Sequence, residues 1–362
     1  MRFGDIVKDV KLNVDRLNNP YEYYVAGDHM DSEDLSIRRR GRFSTDDVGP
    51  AFVRIFKRGQ VLYGSRRTYL KKVAVADFDG ICANTTFVFE TKDPAVFDQR
   101  LLPFLMLSDG FTNWSVGHSK GSTNPYVLFS DLAEYELDLP PIDEQKHLAE
   151  KLWAAYEVKQ SYLKMIKATQ EMVQSQFIEM FGKTANRVSL SSLCDTFIDG
   201  DWIEAKDQSE SGIRLIQTGN VGVGIFKDKG EKARYISEET FNRLNCTEVV
   251  EGDILISRLP DPVGRACIIP GGLGKTITAV DCTILRLKDL TLPKFFIAFT
   301  NTPDYAMQIK KVLSGTTRLR VSRTNLGNIE VPLPSFEEQL RFVSIAHQAD
   351  KSEKCCEIRL AG

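Results

Sequence analysis

Three short segments contain residue types from which a catalytic or phosphate-binding site could be built. The segment PGGLGKT at residues 270–276 has the glycines and lysine of a phosphate-binding loop, but the spacing of that loop requires glycine at position 269, where Ile269 stands. The segments NNPYEYY at residue 18 and TNPY at residue 123 contain part of the Asn-Pro-Pro-Tyr motif of amino-methyltransferases, but each has a single proline. We therefore expect neither activity from this chain.

The histidines and cysteines are too scattered to predict a metal site or a nucleophile with its base. The histidines are His29, His118, His147 and His347. The seven cysteines are odd in number, form no CxxC pair and lie mostly in apolar strand-like segments, which is typical of buried thiols. We predict a protein without catalytic residues or a metal of its own.

Positive charge is concentrated in four segments, although the net charge is −2. These segments are IRRRGR (37–42), RIFKRG (54–59), RRTYLKK (66–72) and RLRVSR (318–323). A near-neutral chain can still have a basic face that attracts nucleic acid. The alternative is that each segment is only a solvated strand edge or helix face.

The length and composition predict a globular protein with two domains. A chain of 362 residues is long for one hydrophobic core, and 42% hydrophobic with 27% charged residues is ordinary globular composition. No segment approaches the roughly 18 consecutive apolar residues of a membrane span. The N-terminal MRFGDIVKDVKLN has charges where a signal peptide has an apolar run. We expect a cytoplasmic protein with no membrane partner.

One pattern occurs twice along the chain. The segment LDLPPIDEQ begins at Leu137 and VPLPSFEEQ at Val331, so Gln145 reappears as Gln339 at an offset of 194 residues. Upstream, Gly121 matches Gly315 at the same offset. Agreement in the same order along both halves predicts duplicated domains rather than a chance motif.

Each half predicts a mixed α and β domain followed by a long helix. The strand-like segments are GQVLYGS, KVAVADF and TTFVFE in the first half and GDILIS, RACIIP and CTILRLK in the second, whereas DPAVFDQRLLPFLMLSDGF and TLPKFFIAFTNTPDYAMQIKKVL predict helices. Residues 142–181 contain no glycine or proline, and their apolar residues follow the alternating three- and four-residue spacing of a coiled coil. The predicted domains are 1–141 and 183–335, with helices at 142–182 and 336–362.

The sequence allows two interpretations of the long helices. The first helix could be only an interdomain spacer. A second copy after the second domain favours instead two helices that pair antiparallel as a coiled coil. The predicted architecture is therefore α+β, with two mixed α/β domains, long antiparallel helices and an internal pseudo-twofold repeat.

The paired segments LPPIDEQ and LPSFEEQ, each closing a mixed domain and leading into a helix, resemble the DNA-specificity subunit of type I restriction-modification systems. The segments GDILIS and GQVLYGS support the resemblance, which covers essentially the whole chain. It implies that each domain is a target-recognition domain reading half of a bipartite, asymmetric double-stranded DNA site, and that the helices bind two methyltransferase subunits. It also implies that S-adenosylmethionine, ATP and Mg²⁺ act only through partner subunits, and leaves open whether restriction subunits join.

DNA recognition of this kind requires phosphate contacts from Arg, Lys, Ser, Thr and backbone amides, and base contacts from Arg, Asn and Gln. Loops with glycine beside such residues are candidates, because glycine lets the backbone approach a phosphate closely. The candidates in the first half are Gly27, His29, Arg38, Arg39, Tyr63, Ser65, Arg66, Arg67, His118, Lys120, Ser122 and Thr123. Those in the second half are Thr218, Asn220, Ser257, Arg258, Thr316, Thr317, Arg318 and Arg320.

Several of these assignments have structural alternatives. Arg66 and Arg258 could form salt bridges, Gly27 to His29 could be only a turn, and Asn220 could cap a turn. The helical candidates for partner binding are Leu152, Tyr156, Leu163, Ile166 and Phe342. For the whole protein, the alternatives are a scaffold that organises a complex without touching nucleic acid, and an RNA binder, although no aromatic RNA-binding strand motif is present.

Overall fold

The computed structural model describes residues 1–16, 18–315 and 318–361, without the side chains of residues 353 and 357–361. The chain divides into two compact units, residues 1–159 and 160–362. This division falls inside the long helix, whereas the predicted domain boundaries lie at its two ends. Within the described residues, no helix is long and apolar enough to cross a membrane.

The first unit contains two four-stranded sheets. One has the order β1-β8-β5-β6 and is antiparallel throughout; the other has the order β3-β2-β7-β4, with β2 and β7 parallel. The strands are β1 (Val7–Asp9), β2 (Tyr23–Val25), β3 (Gly41–Arg42), β4 (Phe52–Phe56), β5 (Val61–Gly64), β6 (Val73–Val75), β7 (Gly80–Ala83) and β8 (Thr86–Thr91). The helices are α1 (Phe3–Ile6), α2 (Leu102–Leu107), α3 (Asp109–Gly117), α4 (Phe129–Ala133) and the first part of α5 (Ile142–Phe181).

The second unit repeats this plan after the end of α5. One sheet has the order β10-β17-β14-β15, a second has the order β11-β13-β12-β16, and β18 pairs with β9. The strands are β9 (Arg187–Ser189), β10 (Cys194–Asp199), β11 (Gln208–Ser209), β12 (Ile213–Ile216), β13 (Arg234–Ile236), β14 (Ile254–Ser257), β15 (Ala266–Ile268), β16 (Thr276–Thr278), β17 (Cys282–Leu287) and β18 (Glu330–Pro332). The helices are α6 (Glu238–Leu244), α7 (Pro293–Thr300), α8 (Pro303–Lys311), α9 (Arg323–Gly327) and α10 (Phe336–Ala361).

The internal repeat is visible in the strand order of both units. The antiparallel sheets correspond strand for strand, and β12 runs parallel to β16 as β2 runs parallel to β7. Gly59 and Gly252 precede the matching strands β5 and β14, each with φ +88°, a conformation that favours glycine. The six predicted strand segments are confirmed as β5, β6, β8, β14, β15 and β17. The mixed α and β fold with an internal repeat is therefore confirmed.

Each predicted helical segment is a pair of short helices. The second helix of each pair begins at a hydroxyl cap, because Ser108 Oγ accepts a hydrogen bond from Phe111 N and Thr302 Oγ1 accepts one from Tyr305 N, both at 3.3 Å. Ser108 and Thr302 are 194 residues apart. A cap of this kind satisfies a free amide of the first turn, so the chain can change direction without losing helical hydrogen bonds.

The glutamine of the repeated segment fixes the start of the long helix in the first unit. Gln145 has 1% of its surface exposed. Its Oε1 accepts a hydrogen bond from Asp98 N at 3.0 Å, and its Nε2 donates to Val96 O at 3.0 Å and to Pro140 O at 2.9 Å. One buried side chain therefore joins the segment before α2 to the first turn of α5.

The second unit repeats these three hydrogen bonds. Gln339 has 0% of its surface exposed, and its Oε1 accepts from Leu292 N at 3.0 Å. Its Nε2 donates to Leu290 O at 3.0 Å and to Pro334 O at 3.3 Å. Each partner lies 194 residues after its counterpart around Gln145. The repeated Leu-Pro and Glu-Gln segment is thus the same structural joint used twice, which explains why the chain repeats it.

The apolar residues of α5 divide between the cores of the two units. Leu152 and Tyr156 pack against the core of the first unit, and Phe177 with Val173 against that of the second. Between them Leu163 remains 42% exposed. The regular apolar spacing that predicts one coiled-coil seam is therefore used largely for packing within the cores of the separate units.

The predicted buried thiols are largely confirmed. Six of the seven cysteines are buried, and Cys355 is exposed. Burial raises the pKa of Cys82, for example, to about 12. A thiol with a pKa raised this far is un-ionised near neutral pH, which makes the Cys82 thiol a poor nucleophile.

Candidate nucleic-acid interface

Two predicted loops of the first unit lie together beside the end of β5. Arg67 N donates to Pro125 O at 2.7 Å, and Val127 N donates to Ser65 O at 2.9 Å. These bonds join residues 65–67 to residues 125–127, and Lys120 N in turn donates to Tyr126 O at 2.7 Å. The Gly27 loop lies nearby, because Lys72 Nζ donates to Gly27 O. Because Gly64 N donates to Lys72 O at 3.0 Å, Lys72 links the Gly27 loop to the end of β5.

This loop cluster presents arginines to solvent. Arg66 and Arg67 are exposed, and the Arg66 guanidinium lies 5.9 Å from the centre of the Tyr126 ring. Neither has a carboxylate partner among the described residues, whereas Lys120 Nζ lies 3.1 Å from Asp131. Arg67 has φ +51°, which is uncommon for a residue other than glycine and is enriched at functional sites. Unpaired guanidinium groups of this kind can contact phosphates or guanine.

The second unit has an equivalent loop cluster. Ser314 and Arg320 exchange backbone hydrogen bonds of 2.9 and 2.8 Å, as Lys120 and Tyr126 do at 2.7 and 2.9 Å. The two pairs are separated by 194 residues. Arg320 and the neighbouring Arg318 are exposed. The predicted contacts Thr316 and Thr317 lie outside the described residues.

Arg265 organises the loops of the second unit and was missed in the sequence. Its guanidinium donates to the carbonyl oxygens of Val221, Leu259, Pro262 and Thr218 at 2.6, 2.7, 2.9 and 2.7 Å. Burial lowers the pKa of Arg265, but an arginine stays charged at neutral pH. Arg265 joins the loop at 217–222 to the loop after β14. In the sequence, only the arginine of the segment GRACIIP indicated this role.

Several predicted DNA contacts face the interior in this structure. Tyr63, Ser65 and Ser257 have 2%, 7% and 0% of their surface exposed, and burial raises the pKa of Tyr63 to about 12. Asn220 caps its loop by accepting from Gln217 N at 3.0 Å and donating to Lys227 O at 3.0 Å. These four side chains therefore support the loops from within.

Arg258 forms the salt bridge that the sequence analysis gave as the alternative to DNA contact. Its Nη2 donates to Val280 O at 2.7 Å, and its Nε lies 3.4 Å from Asp199 Oδ1. The side chain has 15% of its surface exposed. The matched arginines Arg66 and Arg258 are therefore not equivalent in exposure.

The remaining candidates near the N-terminus are held in local contacts. His29 Nδ1 accepts from Ala26 N at 3.1 Å, which makes the Gly27 to His29 segment a closed turn. Arg38 pairs with Asp34 at 2.5 Å, and Arg39 pairs with Asp31. Among the later loop candidates, His118 stacks on Trp114 at 4.0 Å, Ser122 and Thr123 are exposed, and Thr218 is half-buried.

Arg40, which follows Arg38 and Arg39, is a further exposed candidate that the sequence analysis did not identify. The Arg40 guanidinium lies 3.9 Å from the centre of the Tyr23 ring and 4.8 Å from that of Phe78. No carboxylate pairs with it in the described ranges. An arginine held flat against aromatic rings keeps its donors free for an acceptor. In the sequence, the segments NNPYEYY and RRRGR together were the signal for this arginine–aromatic contact.

The partner-binding candidates on the helices also differ in how deeply they are buried. Phe342 is fully buried, with its ring centre 5.2 Å from that of Phe177, so it anchors α10 to its own unit. Tyr156 donates to Asp34 at 2.5 Å, and Leu152 packs on the first core. Leu163 is exposed and Ile166 half-buried, so these two are the candidates that retain accessible surface.

The arginines exposed in both loop clusters are suited to binding a ligand. No group of three or more metal-binding side chains occurs within the described residues. The residue profile of the family described as type I restriction modification DNA specificity domain matches residues 12–168 and again 183–357. The chain belongs to this family. It therefore contains two copies of the type I restriction modification DNA specificity domain.

Known specificity subunits resemble the chain over different lengths. It is 29% identical over 152 residues, 42% of this chain, to the type I restriction enzyme EcoDI specificity subunit of Escherichia coli. It is 24% identical over 285 residues, 72% of this chain, to the MjaVIII specificity subunit of Methanocaldococcus jannaschii. The matches span 33% and 65% of these relatives.

The fold is also that of a solved specificity subunit. The type I S subunit from M. genitalium aligns with a TM-score of 0.53 at 14% identity, covering 100% of this chain and 91% of that one. At this identity the comparison concerns the fold alone.

The unequal exposure of the two matched arginines gives a testable difference. Arg66→Ala should weaken DNA binding by about 1–3 kcal/mol if Arg66 reads a base, with little change in unfolding temperature. Arg258→Ala should lower the unfolding temperature, because it removes the ion pair with Asp199 and the hydrogen bond to Val280 O. Fluorescence anisotropy with duplex DNA and thermal unfolding measure the two effects. Unchanged DNA affinity of the Arg66 variant at moderate salt would remove Arg66 from the interface.

Proposed function

We propose that the chain recognises a bipartite, asymmetric DNA sequence, with one half read by each unit. The observation that carries this proposal is the pair of equivalent loop clusters with different exposed side chains. Lys120 and Tyr126 occupy the same hydrogen-bonded positions as Ser314 and Arg320. A shared frame gives both units the same way of docking, whereas different side chains at matched positions favour different base sequences.

The exposed arginines are the groups expected to make the contacts. Arg66, Arg67 and Arg40 serve the first unit, and Arg318 and Arg320 the second. Arginine binds guanine O6 and N7 with two hydrogen bonds and also pairs with phosphates. The backbone of Gly121 and Gly315, with φ +88° and +99°, allows close approach to the sugar-phosphate chain at equivalent places.

The helices are proposed to pair as an antiparallel coiled coil that spaces the units and binds two methyltransferase subunits. Support comes from two contacts on α10: Phe342 packs on Phe177 near the end of α5, and Cys356 Sγ lies 3.6 Å from Met165 Sδ, further back along α5. The order of these contacts favours an antiparallel pair. Leu163 and Met172, 42% and 51% exposed, are apolar side chains available to a partner.

The chemistry of methylation and cleavage is proposed to belong to those partners. The methyltransferase subunits would supply S-adenosylmethionine and adenine methylation, and restriction subunits, if they join, would supply ATP-driven cleavage with Mg²⁺. The contribution of this chain is to place the partners on a chosen sequence.

The salt dependence of DNA binding tests the proposal against a protein-only scaffold. Neutralising several phosphates releases counterions, so the logarithm of the association constant should fall linearly with the logarithm of salt concentration, with a slope of about −4 or steeper. Arg67→Ala should make the slope shallower by roughly one if it contacts a phosphate. Arg341→Ala is the matched control, since Arg341 is an exposed arginine of α10 paired with Glu337. Absence of duplex binding at low salt would favour the scaffold.

A further inference from the structure

The turns that follow the matching strands β2 and β12 are built from the same hydrogen bonds. In the β2 turn, His29 N donates to Ala26 O at 3.0 Å, and His29 Nδ1 accepts from Ala26 N at 3.1 Å. In the β12 turn, Asn220 N donates to Gln217 O at 2.8 Å, and Asn220 Oδ1 accepts from Gln217 N at 3.0 Å. Each pair marks the first and last residues of its turn, which begins immediately after the strand. The two turns are therefore equivalent in structure, although they share no residue type at matched positions.

A cationic side chain binds the second residue of each turn. Lys72 Nζ donates to Gly27 O in the β2 turn. Arg265 Nη2 donates to Thr218 O in the β12 turn at 2.7 Å. Lys72 and Arg265 also occupy matching positions, because each immediately precedes an edge strand, β6 or β15. The backbone carbonyl oxygen of each accepts a bond from the last residue of the neighbouring strand, β5 or β14, at 3.0 or 2.9 Å. The internal repeat thus includes a cation that holds a turn.

Neither cation has a carboxylate partner within the ranges that the structure describes. Arg265 donates instead to three further carbonyl oxygens, those of Val221, Leu259 and Pro262. Both Lys72 and Arg265 are half-buried. Hydrogen bonds from a charged donor are stronger than those from a neutral one. The bonds of these two side chains therefore fix the position of the backbone and do not balance a negative side chain.

We propose that Lys72 and Arg265 are equivalent positioning residues, each of which holds one turn in the conformation that reads one half of the DNA site. This inference rests on the proposed function. The third residues of the turns, Asp28 and Gly219, are exposed, so the same hold presents a carboxylate in the first unit and bare backbone in the second. A carboxylate can accept from cytosine N4, whereas glycine lets the backbone approach the DNA closely. Each cation acts within its own unit, so its loss should affect one half-site alone.

Hydrogen exchange of the free chain tests the hold without DNA. Lys72→Met removes the donor and keeps an unbranched side chain, and Arg265→Met does the same in the second unit. Because a charged hydrogen bond is lost, the amides of the β2 turn should exchange ~10-fold faster or more in Lys72→Met, with those of the β12 turn unchanged. Arg265→Met should show the reverse. Unchanged exchange in the turn beside the substituted residue would overturn the proposal.

Selection of bound duplexes from a randomised DNA library tests the effect on recognition. Lys72→Met should weaken the base preference ~10-fold in one sequence block and leave the other block unaltered, and Arg265→Met should do the opposite. Arg265→Lys should retain most of the preference that Arg265→Met loses, because a lysine holds the equivalent turn in the first unit. Thermal unfolding establishes that the variants fold. If Arg265→Met does not fold, the other two variants decide the matter.

Two lysines at the opposite ends of the same sheets provide matched controls. Lys92 follows β8 and Lys288 follows β17, and both side chains also donate to backbone carbonyl oxygens, those of Gly4 and Ser192. Lys92→Met and Lys288→Met should therefore change neither the exchange of the two turns nor either sequence block.

The results that would overturn the inference differ from the one that would also contradict the proposed function. A uniform loss of affinity, with both blocks unaltered and a salt slope shallower by about one, would show that the cation contacts a phosphate directly. Loss of both blocks from one substitution would show a general effect on the fold. Blocks selected alike by the unchanged chain and by all variants would overturn the inference alone. An unchanged chain that selects no block would contradict the proposed function as well.

Discussion

Replacing Gln339 by glutamate is expected to lower the free energy of unfolding by about 3–5 kcal/mol, among the largest effects of any isosteric change in the chain. The new carboxylate would be fully buried in place of an amide that donates to Leu290 O and Pro334 O. Both donors are lost, and a negative charge faces two carbonyl oxygens. Only the bond from Leu292 N remains favourable.

The loss of stability caused by Gln339→Glu should become smaller as the pH falls. Burial beside carbonyl oxygens raises the folded-state pKa of the introduced carboxyl above its unfolded value of about 4.3. A group with a raised folded-state pKa gives most stability below the unfolded pKa and loses it as pH rises through the folded pKa. The difference between the variant and the unchanged protein should therefore shrink as pH falls from 7 toward ~4.

The control for this measurement lies on the same helix. Gln348→Glu makes an equal change at an exposed position of α10 and should alter stability by less than about 0.5 kcal/mol. Urea unfolding at several pH values compares the variants. If Gln339→Glu is as stable as Gln348→Glu at pH 7, the repeated glutamine is not the joint between the globular domain and its helix. Gln145→Glu should repeat the effect in the first unit.

Exchanging residues 183–333 for the matching segment of a relative is expected to change one half of the recognised DNA sequence and leave the other half unaltered. The family profile matches the two halves of the chain separately, and each unit has its own loop cluster. Several mismatched base pairs at about 1–3 kcal/mol each should reduce affinity for the original site ~1000-fold or more. Affinity for the hybrid site should be close to that of the unchanged chain.

The design of this exchange follows from the packing around α7. Phe295 contacts Phe177 and Phe342, and Phe299 contacts Phe177. Phe177 and Phe342 lie outside the exchanged segment. The donor should therefore have aromatic residues at the positions of Phe295 and Phe299. Thermal unfolding establishes that the chimera folds. A folded chimera whose two half-sites both change would contradict independent recognition by the two units.

Much of the fold could be predicted from the sequence because the chain repeats itself. The alternation of β-branched and apolar residues between glycines predicts β5 and β14, and the repeated offset of 194 predicts two similar domains. Helix breaks were missed because Ser108 and Thr302 act through side-chain caps, which hydrophobic spacing does not reveal. The use of Phe177 and Phe342 in a domain core was missed for a related reason: apolar spacing does not identify what a helix packs against.

The candidate interface was predicted less completely. Glycine beside polar residues correctly indicated loops, and the structure joins those loops by hydrogen bonds. The sequence could not distinguish Arg66, which is exposed, from Arg258, which is held by Asp199 and Val280 O. Arg40 and Arg265 were missed because their roles depend on neighbours distant in sequence. Pairing and burial are properties of three-dimensional packing, so residue type and spacing alone leave them open.

Selection of bound duplexes from a randomised DNA library tests most directly the central claim that the two units read two halves of one site. The chain, assembled with the methyltransferase subunits proposed as its partners, is incubated with the library at moderate salt, and the retained duplexes are sequenced. The account predicts two short, different sequence blocks separated by an unspecified gap of constant length. A single continuous block, or a retained pool no different from the starting library, would contradict it.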